Sequence, residues 1–440
     1  MSSILRHLVV VLMVGLLPAG VRAGARGADV NEIAESYVRL ALTLGLYDAD
    51  YVDAYFGPAE WRPSDADRQK PFPAERLGAT ADTLLGQLKA AGRRRLPKEE
   101  LRRHAYLEEQ LLAVRAKIDL LAGAKMSFDE ESKALYGVIA PSYEETHFQD
   151  ILRQLDEILP EEGSVYSRFN SYRIRFTVPA DKLETALRTT IAEYRRRTVE
   201  HLTLPADEGF EMRFVTGKPW GAAVTYQGAE RSLVEINSAA PFCVADVLKI
   251  AGHEIYPGHH VHLSSLDRSL VRDKGWVEHS ILLLHSPLAL ISEGFAEYGM
   301  RDLVMPRDER VEFHRKVLFP LLGIDPAEAE RYGRVMELKD ELDAAMVEAA
   351  RRYLGGRLDR DQTRVWLCRY CLITPSAAEN LITFIERYRS YMVTYTVGYR
   401  LIADYMDRQV GPDADAARRW QLFRTLVSTP RTPSALAAAR

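Results

Sequence analysis

The sequence predicts a mainly α-helical protein with a small antiparallel β-sheet beside its one chemically dense segment. Three observations predict it. Apolar residues recur at helical spacing through most of the 440-residue chain. Between about 206 and 237 the texture changes to short, partly β-branched runs punctuated by Gly217, Pro219, Gly228 and Asn237. Directly afterwards comes His253-Glu-Ile-Tyr-Pro-Gly-His-His-Val-His262, and helical texture then holds from Val244 to the C-terminus.

The elements follow in chain order. The start is not expected to belong to the fold. Arg6 and His7 lead into an apolar run over 8–17, then Pro18 and Val21-Arg22-Ala23. This is the pattern of a secretory leader cleaved near Ala23, with an apolar run too short for a comfortable membrane span. The expected location is therefore periplasmic or secreted, with no stable membrane span after cleavage. Residues 24–440 are expected to form one large domain, divisible into lobes of about 24–205 and 206–440. Helices are predicted over 34–46, 81–91 and 101–121. The last carries Leu107, Leu111, Val114, Ile118 and Leu121 on one stripe. A turn-rich connection over 56–73 separates the first two. Another helix is predicted over 142–159, opened by a capping box at Ser142 and Glu145 and closed by Pro160 and Gly163. A further helix runs from about Pro179 to His201. Strands are predicted over 211–215, 221–227 and 232–236.

Composition is that of an ordinary globular protein, with 47% hydrophobic and 27% charged residues. The net charge of −4 leaves no electrostatic footprint for nucleic acid and no polybasic membrane signal. Three cysteines do not make a disulfide scaffold, and Cys368 and Cys371 read as packed or loosely paired thiols.

Six of the eleven histidines fall between His253 and His285. Catalytic zinc sites use three protein ligands and keep a position for water. In the helical motif H-E-x-x-H, two histidines share one face and the glutamate acts on the water as general base. Here His253 and Glu254 supply the first two letters, but position 257 is proline. Proline removes an amide donor and disfavours helix at Tyr256, and Gly258 permits unusual backbone angles. The helix is therefore expected to break at Pro257-Gly258, and the second ligand comes from beyond it as His259 or His260. In a straight helix His260 would lie about 10.5 Å along the axis, so a kink is required. The third ligand is expected from Ser292-Glu293-Gly-Phe-Ala-Glu297-Tyr298, where Glu293 and Glu297 share a face. Glu293 is the candidate ligand and Glu297 a supporting or surface residue. His262, His279 and His285 read as structural, and Arg387 and Arg400 as ordinary ion-pairing residues. The strand over 221–227 could equally be plain sheet or an edge that pairs an extended peptide.

These motifs, with Thr394-Tyr395-Thr-Val-Gly398-Tyr near the end, resemble the bacterial family catalogued as domain of unknown function 885. That family in turn resembles the glutamate-zincin metallopeptidases. The resemblance implies a large helical, clefted fold like that of angiotensin-converting enzyme and related carboxypeptidases. It implies zinc held by His253, one of His259 and His260, and Glu293, with Glu254 as base. Tyr395 takes the place of the family's late tyrosine, a hydrogen-bond donor to the developing oxyanion. The chain departs from the pattern at Phe295 (usually tryptophan), His262 (commonly glutamine) and Thr396 (often lysine). The expected function is that of an exported zinc metallopeptidase acting on short peptides. A zinc amidohydrolase on a non-peptide amide and a non-catalytic metal-binding protein are the rivals; Glu254 argues against the second, since a structural zinc needs no base.

Overall fold

The computed structural model describes residues 29–93, 96–218, 221–239, 241–411 and 414–438. The leader expected at 1–23 lies outside these residues. The fold is mainly α, with two small sheets packed among the helices. None of the described helices is long and apolar enough to cross a membrane.

The N-terminal helices span Val30–Gly45, Ala74–Ala91 and Lys98–Leu121. The first is capped by Asp29, whose carboxylate accepts the Asn31 amide, and the third starts directly after Pro97. Their apolar stripes, including Tyr37, Leu84, Leu107 and Leu111, close a first core. That core also takes in Leu263, Leu266 and Ile281–Leu283 from far along the chain. A buried bidentate ion pair, Arg103 Nε to Glu278 Oε1 at 2.7 Å and Nη2 to Oε2 at 3.2 Å, fastens the third helix to the segment before that strand. A second, larger core joins the helices Glu145–Ile158, Val165–Ile174 and Leu183–Val199 to most of the C-terminal half. A third gathers Leu290, Val347, Ile385 and Met392 around Tyr391.

The first sheet pairs strand β1 (Val52–Tyr55) antiparallel with β5 (Ile281–Leu283), and sequence patterning missed both. The other contains β2 (Gly209–Val215), β3 (Ala222–Gly228) and β4 (Arg231–Asn237) in the order β2-β4-β3. All three predicted strands exist, but the sheet is mixed. The β3–β4 hairpin places β4 in the centre, antiparallel to β3, so β2 adds to its far side in parallel. The helix predicted from 142 begins at Glu145, and Ser142 does not cap it. The Tyr143 amide instead donates to Glu348 Oε1 at 3.1 Å, which holds the approach extended. Cys243, Cys368 and Cys371 are free thiols.

Candidate metal centre

The helix Val244–Lys249 is opened by Asp246, whose carboxylate accepts the Cys243 amide at 2.8 Å. It widens into π-helical turns over Ile250–Ile255, which carry His253 and Glu254. Such widened turns recur at functional sites because they re-aim side chains out of helical register. The Tyr256–Pro257 peptide is cis, and the chain then doubles back. Gly258 donates its amide to Gly252 O at 3.0 Å. A Cβ on Gly258 would stand 1.8 Å from His253 O, so only glycine permits this return. A new helix starts at once, His259–Leu266, and the His259 ring meets His253 edge-on with centroids 4.7 Å apart.

The third side of the centre comes from the helix Pro287–Tyr298, started by Ser286 as cap and Pro287 in the first turn. It crosses the helix Val393–Val410 in backbone contact at Gly294 and Gly398. A Cβ on either would lie 2.4 Å from a carbonyl oxygen of the other helix. This close crossing brings Glu293 up to Tyr391, and the same helix packs against both segments that carry the histidines. His253 Nε2 lies 3.2 Å from Glu293 Oε2, and His259 Nε2 lies 3.6 Å from Glu293 Oε1. Tyr391 donates its hydroxyl to Glu293 Oε1 at 3.2 Å. One donor atom from each of His253, His259 and Glu293 falls within 4.8 Å of the others.

Each imidazole is held from behind. His253 Nδ1 lies 3.2 Å from Glu297 Oε2, and Arg301 lies 3.5 Å from the other oxygen of that carboxylate. Ser292 Oγ lies 3.1 Å from both His259 Nδ1 and His262 Nδ1. A serine hydroxyl can accept from one ring and donate to the other. Nδ1–H on His253 and His259, assigned from these partners, would leave each Nε2 to a metal held beside Glu293; without one, His253 Nε2 keeps its proton and donates toward Glu293.

Burial lowers the pKa of His253, but its contacts with Glu293 and Glu297 outweigh that and raise it to about 10. Burial raises Glu297, and His253, Lys249 and Arg301 bring it down to about 2. Glu293 is likewise pulled well below its usual range, against burial, by His259 and His253. Glu293 Oε2 is buried and makes no aligned hydrogen bond among the described residues. Two imidazole nitrogens and a carboxylate oxygen, converging within 4.8 Å of one another, fit a tetrahedral zinc site with a position left over. The two carboxylates also supply negative charge that a divalent cation would balance.

The cluster lies where the three cores meet, at a cavity of about 470 Å³ that also exposes Glu254, Tyr395 and the β3 residues Ala222–Val224. Burial, with the Glu293 carboxylate pushing the same way, raises the Tyr395 phenol well above its usual range, so it stays a donor at neutral pH. Asp53, from β1, lines the same cavity.

Of the two histidines that the sequence left open, His259 faces the cluster and His260 does not. His260 is fully buried against the mixed sheet, with Nδ1 at 2.8 Å from Ser232 Oγ and Nε2 at 3.0 Å from Glu208 Oε1. Both ring nitrogens are engaged there, so its candidacy as a ligand is corrected by the direction of its ring. His279 stacks on Tyr106 and His285 bonds Tyr136, both away from the cluster. Arg387 pairs with Asp50 at 2.5 Å. Among the polar cavity residues, Tyr391, Asp53, Asp246 and Lys249 went unread in the sequence. Only Tyr391 carried a signal, its four-residue spacing from Tyr395.

No protein-family model matches the chain, and no curated protein matches it in sequence. Several solved structures share its outline. A candidate lipoprotein from Colwellia psychrerythraea gives a TM-score of 0.49 at 15% identity, over 86% of this chain and 69% of that one. M32 carboxypeptidase from Deinococcus radiodurans R1 gives 0.41 at 16% identity, over 92% and 93%. Trypanosoma cruzi metallocarboxypeptidase 1 gives 0.46 at 12% identity, over 91% and 92%. Likenesses this distant assign no chemistry to the chain.

Proposed function

We propose that this chain is an exported zinc metallopeptidase of short peptides, with His253, His259 and Glu293 as the metal ligands and Glu254 as general base. The observation that carries the reading is the convergence of those three side chains on a cavity that also exposes Glu254, one residue from His253. Zinc, when bound, polarises a scissile carbonyl and acidifies water. Glu254 takes a proton from the attacking water and delivers it to the leaving amine. The Tyr395 hydroxyl donates to the developing oxyanion. Tyr391 holds Glu293 in place, while Glu297 and Ser292 fix the two imidazole tautomers. Strand β3 pairs with β4 along one edge, and its residues Ala222–Val224 offer backbone groups to an extended substrate in the cavity. The leader-like pattern of 1–23 supports export.

The test is Glu254→Gln. The variant should keep one zinc per chain and lose hydrolysis of a mixed-peptide library. Wild-type cleavage by the variant would remove the mechanism. Cleavage of small non-peptide amides alone by the wild type would favour the amidohydrolase instead.

A further inference from the structure

The hydrolytic machinery leaves three charged cavity residues unused; Asp246 is taken up by the Cys243 amide, which leaves Asp53 and Lys249. Asp53 sits in β1 where the pairing with β5 shifts register, between Val52 and Ala54. A bulge of this kind turns a side chain out of the pleat, and here Asp53 opens into the metal cavity. Its carboxylate makes no side-chain hydrogen bond or ion pair among the described residues. Lys249 is the last residue of Val244–Lys249, one helical turn before His253. Its ammonium sits 5.8 Å from the centre of the Tyr395 ring and likewise forms no ion pair among the described residues. It lines both the metal cavity and the adjoining polar pocket that contains Arg301, Asp340 and Tyr399.

The two charges enter the cavity from different elements, Asp53 from β1 and Lys249 from the helix that leads into His253, and no ion pair joins them among the described residues. Opposite charges that share one cavity with the ligand cluster and base, and are not joined to each other, match a zwitterion bound at the centre. A short peptide with free ends is such a zwitterion. Extended, two or three residues span at most roughly 7–11 Å. The cavity, at about 470 Å³, has the volume of a small-ligand site.

We propose that Asp53 receives the amino terminus and Lys249 the carboxyl terminus of the substrate, making the centre selective for di- and tripeptides with both ends unblocked. This rests on the peptidase reading above. An ammonium against Asp53 and a carboxylate against Lys249 are charge-assisted contacts, and each fixes which peptide bond lies over the cluster.

The experiment compares trialanine, N-acetyl-trialanine and trialanine amide on the zinc-loaded wild type. Each block should lower kcat/KM about tenfold or more, mainly through KM. Asp53→Asn should erase the penalty for acetylation and keep that for amidation; Lys249→Met should do the reverse. Calorimetric titration of the three peptides into the Glu254→Gln protein reads the same preferences without turnover. Equal handling of free and blocked peptides by the wild type, in turnover and in binding, overturns the proposal. So do variants that leave both penalties in place. If no peptide is hydrolysed but the Glu254→Gln protein still binds trialanine more tightly than either blocked form, the end-reading site stands and the peptidase reading falls.

Discussion

The sharpest structural consequence concerns the crossing of Pro287–Tyr298 with Val393–Val410. A methyl group at position 398 would stand 2.4 Å from Leu290 O and 3.1 Å from Gly294 N, where ordinary contact begins at 3.4 Å. Gly398→Ala must therefore open the crossing by about 1 Å. Overpacking of this kind costs roughly 1–3 kcal/mol. The functional cost is larger, because the crossing sets the distance between Glu293 on one helix and Tyr391 and Tyr395, just before and in the first turn of the other. A displacement of about 1 Å at a reacting centre costs on the order of 100-fold in rate. Urea unfolding should show a lower midpoint at unchanged slope, and peptide turnover should fall far more than the lost stability implies. Gly86→Ala is the control. Gly86 lies inside Ala74–Ala91 with nothing within 4 Å of a built Cβ, so alanine there should be neutral or stabilise by about 0.5–1 kcal/mol. Wild-type stability and turnover in Gly398→Ala would refute the claim that this contact sets the geometry of the centre.

Two further outcomes are expected. Tyr395→Phe should lower kcat at least about tenfold with zinc content unchanged, while Tyr391→Phe, which frees Glu293 Oε1 from its donor, should weaken zinc binding in a competition titration; zinc loss in Tyr395→Phe would reverse these roles. His314 sets an acid limit on stability: its ring is buried, lies parallel to Phe319 at 5.4 Å, and has no partner at either nitrogen among the described residues. Burial, with nearby Arg310 acting the same way, lowers its pKa from 6.5 to about 3. The unfolded chain then takes up a proton near pH 6.5 that the folded chain refuses until about pH 3, so stability is full above 6.5 and lost as pH falls through that window. By pH 5 the loss is about 2 kcal/mol, and His314→Leu should remove that share of the pH 7-to-5 difference in unfolding free energy. An unchanged difference would mean that His314 titrates normally.

The helical class and the broken motif were legible because proline at 257 and glycine at 258 act locally, through a missing amide and a missing Cβ. The choice between His259 and His260 was not legible. Both lie just past Gly258, and their directions depend on how closely the chain returns to Gly252, which is a tertiary fact. The strands over 209–237 could be read from β-branching. Their mixed order could not, since it depends on β4 lying between β3 and β2 in space. Asp53 and Lys249 carried no local signal at all. Asp53 sits in a four-residue strand whose partner begins at Ile281, and Lys249 reads as one more solvated lysine until the cavity is seen.

Metal analysis of His259→Ala beside the wild type, both loaded with zinc and dialysed, tests the central claim most directly. One zinc per wild-type chain and none in the variant is the expected result. A wild type that retains no zinc, or a variant that still holds a full equivalent, would contradict the assignment of His253, His259 and Glu293 as the metal centre.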